Sequence, residues 1–72
     1  MVNLHDISEY IVFFIALFAA RYSLTETQAY KYLQKYDAIK FMHDFYDVMH
    51  TQSFDDMIDS IAMYCRRKGG DL

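Results

Sequence analysis

Almost the whole sequence lacks the residues that ordinarily interrupt a helix. Proline is absent from the 72 residues, and the only glycines are Gly69 and Gly70. Proline and glycine mark most turns and strand ends, so their absence before residue 69 favours helices joined by short connectors. The pattern predicts an all-α fold, and the chain is too short for a second hydrophobic core.

We predict a single helical domain over residues 1–72, with flexible ends at 1–5 and 69–72. A chain of this length buries only about 60% of its unfolded surface, so it commonly needs a disulfide, a metal or association with another chain. Its single cysteine, Cys65, excludes an internal disulfide and a cysteine-rich zinc site. A lone thiol also suits a reducing cytoplasm.

Hydrophobic periodicity predicts a compact bundle of four short helices, at about residues 6–22, 26–36, 38–49 and 54–67. The predicted caps are Asn3 or Asp6, Thr25 with Gln28, Asp37, Ser53, and Gly69 at the carboxyl end. The residues expected to face the core are Ile7, Tyr10, Ile11, Phe14, Leu17, Phe18, Ala29, Tyr30, Leu33, Tyr36, Ala38, Phe41, Met42, Phe45, Val48, Met49, Phe54, Met57, Ile58, Ile61, Tyr64 and Cys65.

Composition excludes several classes of protein. Hydrophobic residues make up 54% of the chain, which argues against disorder, and the net charge of −3 offers no general attraction for nucleic acid. The apolar run Tyr10–Ala20 is shorter than the ~20 residues that a membrane-spanning helix needs. No basic segment follows Met1, so a secretory signal is not expected. We therefore expect a cytoplasmic protein without a membrane segment.

One set of side chains has metal-ligand spacing. His43, Asp47 and His50 are four and three residues apart, so they share one face if the third helix continues to His50. The alternative is a solvated helix face whose last residue has already left the helix. No fourth ligand is evident, and we predict no metal and no cofactor.

Two further sets could suggest catalysis. Cys65 lies on the inward face of the last helix, where a small buried thiol is an ordinary core residue. Asp55 and Asp56 are adjacent and diverge by about 100° on a helix, so capping explains them better than acid–base chemistry. We expect a protein that is not an enzyme.

A nucleic-acid-binding module is the alternative function, because the second and third helices are short and closely joined, as in a helix-turn-helix. The basic residues available are Lys31, Lys35 and Lys40, with the tail Arg66–Lys68. The turn lacks a glycine, however, and Asp44 and Asp47 would point toward phosphates.

The first helix favours protein–protein interaction instead. Beyond Glu9 it has no hydrophilic face until Arg21, and three other short helices cannot cover all its sides. The predicted interface is an exposed strip of Val12, Ala16, Ala19 and Ala20. Small residues four apart allow a partner helix to approach closely. We expect a homodimer or a complex with a partner protein, unless the amino-terminal arm or the carboxyl-terminal tail covers the strip.

The stretch FYDVMHTQSFDD, residues 45–56, combines acids, hydroxyls, aromatics and a histidine. We interpret it as the joint between the third and fourth helices. Its candidate structural or polar-contact residues are Tyr46, Asp47, His50, Thr51 and Ser53. In this interpretation Asp47 and His50 bond to backbone groups at the end of one helix, and Ser53 caps the next.

The phrase YDVMHTQ, residues 46–52, resembles a motif in a family of small bacterial domains of unknown function that are common in gut bacteria. Members most often have Leu at the position of Met49. The similarity extends over about residues 6–66. It includes Leu24-Thr25, Tyr32-Leu33 and Lys35-Tyr36 upstream, and Asp55–Ile61 downstream.

The resemblance implies a compact helical fold without established catalysis. Genes of the family often neighbour genes whose products resemble ADP-ribosyltransferases, which implies a partner or antitoxin-like role. The sequence departs from its relatives in the first helix, where they tend to have polar residues. The residues that differ in this way are Ala16, Leu17, Ala19 and Ala20. Their apolar character favours an apolar contact that is specific to this chain.

Overall fold

A computed structural model describes residues 4–72 of the chain. Its helices are α1 Leu4–Arg21, α2 Glu26–Lys35, α3 Ala38–Asp44, α4 Tyr46–Met49 and α5 Phe54–Arg67. No strand occurs within residues 4–72. The all-α prediction is confirmed, although the predicted third helix is divided into α3 and α4.

Local capping fixes the starts of α2 and α5. The Thr25 hydroxyl accepts a hydrogen bond from the Gln28 backbone N–H at 3.1 Å, and the Gln28 side chain accepts one from the Thr25 N–H at 2.9 Å. The Ser53 hydroxyl accepts the Asp56 N–H at 3.1 Å. Each bond satisfies an amide that the first helical turn otherwise leaves without a partner. Both caps were predicted from sequence, and both are confirmed.

The other predicted caps differ. Helix α1 begins at Leu4, so Asp6 lies within its first turn and does not cap it. Asn3 lies outside the described residues. Asp37 precedes α3 in the left-handed region, at φ 61°, and its side chain makes no capping hydrogen bond. Its carboxylate lies instead 3.4 Å from the Lys68 ammonium at the end of α5.

The backbone break between α3 and α4 is at Phe45. With φ −111° and ψ 19°, this residue ends α3 through its N–H bond to the Phe41 carbonyl and leads directly into α4. The break rotates the following residues relative to a continuous helix. Phe45 is 49% exposed and Val48 is 63% exposed, whereas Met49 is buried, so the prediction that Phe45 and Val48 face the core is wrong.

Helix α1 forms the centre of the core and contacts α2, α3 and α5. The buried residues are Phe14, Phe18, Ala19, Ala29, Leu33, Ala38, Met42, Met49, Ile58, Ile61, Ala62 and Cys65. Most were predicted from periodicity, but Ala19 and Ala62 were not. Tyr30, which was expected inside, is 43% exposed.

The carboxyl end of α5 turns back on the bundle. Gly69, at φ 107°, donates to the Arg66 carbonyl, and Gly70 donates to the Cys65 carbonyl. This pair of bonds is the Schellman arrangement, which needs a residue at positive φ, so Gly69 ends the helix as predicted. Residues 69–72, which we expected to be flexible, fold against α2, where the Leu72 N–H donates to the Tyr32 hydroxyl at 3.2 Å.

Candidate functional site

The outer face of α1 carries two large apolar side chains that are exposed beyond the first turn of that helix. Val12 is 68% exposed and Phe13 is 60% exposed. Ala20 is also exposed, and Ala16 is half-buried. We call these four residues the α1 outer face.

The α1 outer face is concave near its middle. A shallow depression of about 530 Å³ lies there, lined by His5, Ser8, Glu9, Val12, Phe13 and Ala16. The His5 imidazole lies 3.1 Å from the Glu9 carboxylate along one edge. An apolar centre with a polar edge is typical of surfaces that bind proteins.

Ala19 does not belong to this surface, contrary to the sequence prediction. It is 3% exposed, and its carbonyl accepts a hydrogen bond from Leu24 N–H at 2.9 Å as the chain turns into α2. The return of α2 covers this side of α1. Sequence reasoning also missed Phe13, although a helical projection places it beside Glu9, Ala16 and Ala20.

The joint between α4 and α5 is held by bonds to backbone carbonyls. His50 Nδ1 lies 2.8 Å from the Tyr46 carbonyl oxygen, and the two rings stack with centroids 4.7 Å apart. The Thr51 hydroxyl donates to the Val48 carbonyl at 2.7 Å. Asp47 is exposed and makes no hydrogen bond within residues 4–72. The side chains of His50, Thr51 and Ser53 are therefore engaged within the fold, whereas the expected bond from Asp47 to a backbone group is not formed.

The arrangement expected for metal binding is not formed. It required one helix through His50, whereas the break at Phe45 separates His43 on α3 from Asp47 on α4. Within residues 4–72, no three His, Cys, Asp or Glu side chains are placed to hold a metal ion.

Burial makes Cys65 a weak nucleophile. The thiol is fully buried, and burial raises its pKa from 9.0 to about 11, which the nearby Lys68 only partly opposes. The thiolate, which is the reactive form, is therefore scarce at neutral pH.

Two of the three acidic residues of α5, Asp55 and Asp59, pair with Arg21. The Arg21 guanidinium lies 2.6 Å from the Asp59 carboxylate and 3.6 Å from that of Asp55. The hydrogen bond to Asp59 raises the pKa of Arg21. These contacts tie the end of α1 to α5 rather than forming an acid–base pair.

Several of the basic residues considered for nucleic-acid binding also have partners within the fold. Lys40 Nζ lies 2.9 Å from the Asp44 carboxylate, and Lys68 Nζ lies 3.4 Å from that of Asp37. Lys35 lies over the Tyr36 ring, with its Nζ 5.4 Å from the ring centroid. The structure gives no further support to this alternative, which stays a prediction.

No single helix within residues 4–72 has both the length and the hydropathy that are required to cross a membrane. Helices α1 and α2 satisfy that test together, but they are bent by 106° relative to each other.

The fold and the surface define a small all-α domain with an apolar outer face on its first helix. The chain belongs to the family described as "Protein of unknown function (DUF3791)", whose family model matches residues 9–68. This agrees with the small family of unknown function that the sequence resembles. No curated protein and no solved structure matches the chain significantly.

Proposed function

We propose that this domain is a protein–protein interaction module rather than an enzyme, and that it self-associates through the α1 outer face. The observation that carries the proposal is the pair of large apolar side chains, Val12 and Phe13, exposed side by side on the central helix. Contiguous exposed apolar residues on a small domain usually mark a contact with another chain.

The energetics support this assignment. Complete burial of one Val or Phe side chain stabilises by roughly 1.5–3 kcal/mol, so covering two of them supplies several kcal/mol. This free energy is comparable with about 5 kcal/mol, which is the lower end of the range of folding stabilities. Ala16 and Ala20, four residues apart, allow a second helix to approach closely.

A second copy of the chain is the first partner that we propose. The alternative partner is a toxin resembling an ADP-ribosyltransferase, as the family resemblance implies, with this domain acting as its antitoxin. We place the module in the cytoplasm, which the free, buried Cys65 supports. Coexpression with such a toxin should restore growth if the antitoxin role is correct.

The decisive experiment is the solution mass by light scattering over a hundredfold concentration range. We expect a mass near twice the 8.6 kDa of one chain at the higher concentrations. Val12→Glu should give a monomer with unchanged helical circular dichroism, because residue 12 is exposed. Gln34→Glu is the matched control, since it adds the same charge at an exposed position of α2.

Ala16→Glu tests the centre of the face. We expect it to disrupt association while leaving the fold helical. An unchanged mass in both Glu variants would remove the α1 outer face from the interface. A wild-type monomer at every concentration would exclude self-association and leave a different protein as the partner.

A further inference from the structure

A second apolar surface lies on another part of the molecule. It is a groove of about 370 Å³ between α3–α4 and α5, and its apolar lining residues are Phe41, Phe45, Val48, Met49, Met57, Ile61 and Tyr64. We call it the α4–α5 groove. The rings of Phe41 and Phe45 lie 4.6 Å apart and those of Phe41 and Tyr64 lie 4.5 Å apart, which builds an aromatic wall.

The groove lies at the helix break at Phe45. Periodicity predicted that Phe45 and Val48 lie on the core-facing stripe with Phe41. In the structure Phe45 is 49% exposed and Val48 is 63% exposed at the groove. The groove therefore presents large apolar side chains to solvent.

A charged group lies beside the apolar lining. The polar residues that line the groove are Ser60 and Arg67, and both belong to α5. Arg67 is exposed and forms no ion pair or hydrogen bond within residues 4–72, whereas the neighbouring Lys68 pairs with Asp37. A guanidinium next to an apolar groove is suited to a carboxylate on a ligand.

We propose that the α4–α5 groove binds an amphipathic helix of another protein, with apolar side chains in the groove and a carboxylate on Arg67. From Met57 to Arg67, α5 rises by about 15 Å, which matches about three turns of a bound helix. Apolar anchors at i, i+3, i+4 and i+7 would contact the aromatic wall and the two groove methionines. This surface is separate from the α1 outer face.

The test uses designed helical peptides as probes. Each carries Leu at i, i+3, i+4 and i+7, with a Glu one turn before or one turn after this stretch on the same face. Matched peptides carry Lys in place of Glu. The chain itself supplies reporters, because Met49 and Met57 line the groove while Met63, which is 49% exposed, does not.

We expect one of the Glu peptides to shift the methyl resonances of Met49 and Met57 and leave that of Met63 unchanged. It should bind up to about fivefold tighter than its Lys counterpart, the upper end for an exposed ion pair. Arg67→Glu should reverse this preference. Val48→Glu should abolish binding, whereas Met63→Glu, an equally drastic change outside the groove, should not.

Two outcomes would overturn the proposal. One is the absence of Met49 and Met57 shifts with both Glu peptides at millimolar concentration. The other is a Glu preference that Arg67→Glu leaves unchanged. Repeating the titrations in Val12→Glu separates this groove from the proposed self-association, because that variant alters only the α1 outer face.

Discussion

The ring of Tyr10 on α1 meets the ring of Tyr46 on α4 edge to face, with centroids 5.4 Å apart and planes at 83°. The Tyr10 ring also stacks on Phe54, 5.1 Å away, so one side chain joins three helices. Its hydroxyl is buried and has no hydrogen-bond partner among residues 4–72. Burial raises the pKa of Tyr10, and the nearby Tyr46 adds a smaller increase.

Tyr10→Phe should therefore leave stability unchanged or raise it by about 1 kcal/mol, because it removes an unsatisfied hydroxyl and keeps the aromatic contacts. The matched variant is Tyr32→Phe, which loses the hydrogen bond from the Leu72 N–H. We expect Tyr32→Phe to lower the free energy of unfolding by about 1 kcal/mol. Urea denaturation measures both, and a clear loss of stability in Tyr10→Phe would contradict the assignment.

Thr25 and Thr27 allow the same substitution to be compared at a cap and two residues beyond it. Thr25→Ala should cost about 1 kcal/mol, because it removes the hydroxyl that accepts the Gln28 backbone N–H, while the backbone N–H of residue 25 keeps its bond to the Gln28 side chain. Thr27→Ala should cost nothing, since Thr27 is exposed on α2 and alanine favours helices. Thermal unfolding monitored at 222 nm distinguishes the two. Equal losses would show that the capping box contributes little.

Cys65 provides a prediction about pH. Its folded-state pKa of about 11 lies above the ordinary value of 9.0, because burial disfavours the thiolate. The folded state then retains a proton that the unfolded chain has lost between those values. This contribution to stability is fully present below pH 9 and is lost as the pH rises through 11.

Iodoacetamide alkylation followed by mass spectrometry tests this shift directly. At pH 8 the folded protein should react about a hundredfold more slowly than the urea-unfolded protein, as a pKa difference of two units implies. The rate should be half-maximal near pH 9 for the unfolded protein and near pH 11 for the folded protein. Coincident pH profiles would show that the folded thiol is not protected by burial.

Much of the fold could be predicted because its signals are local. Thr25 and Gln28, or Ser53 and Asp56, lie within one turn of each other, and their hydrogen bonds depend on little else. The stripe that includes Phe14 and Phe18 similarly follows from helical periodicity. These signals predicted the all-α class and the bounds of most helices to within a residue or two.

The break at Phe45 could not be predicted in the same way. No proline or glycine marks it, and the apolar periodicity of residues 38–49 is compatible with one continuous helix. The α4–α5 groove follows from that break, so it too was missed. The candidate strip on α1 was predicted in part, since Val12, Ala16 and Ala20 are at least partly exposed whereas Ala19 is buried.

The sequence by itself determined the all-α class and where α2 and α5 begin, because capping and side-chain periodicity act between residues a few positions apart. Only the tertiary structure decided which helix faces are covered. Ala19 is buried where the chain turns into α2, and Val12 stays exposed because none of the described segments covers it. Coverage depends on contacts between residues distant in sequence, which no local pattern encodes.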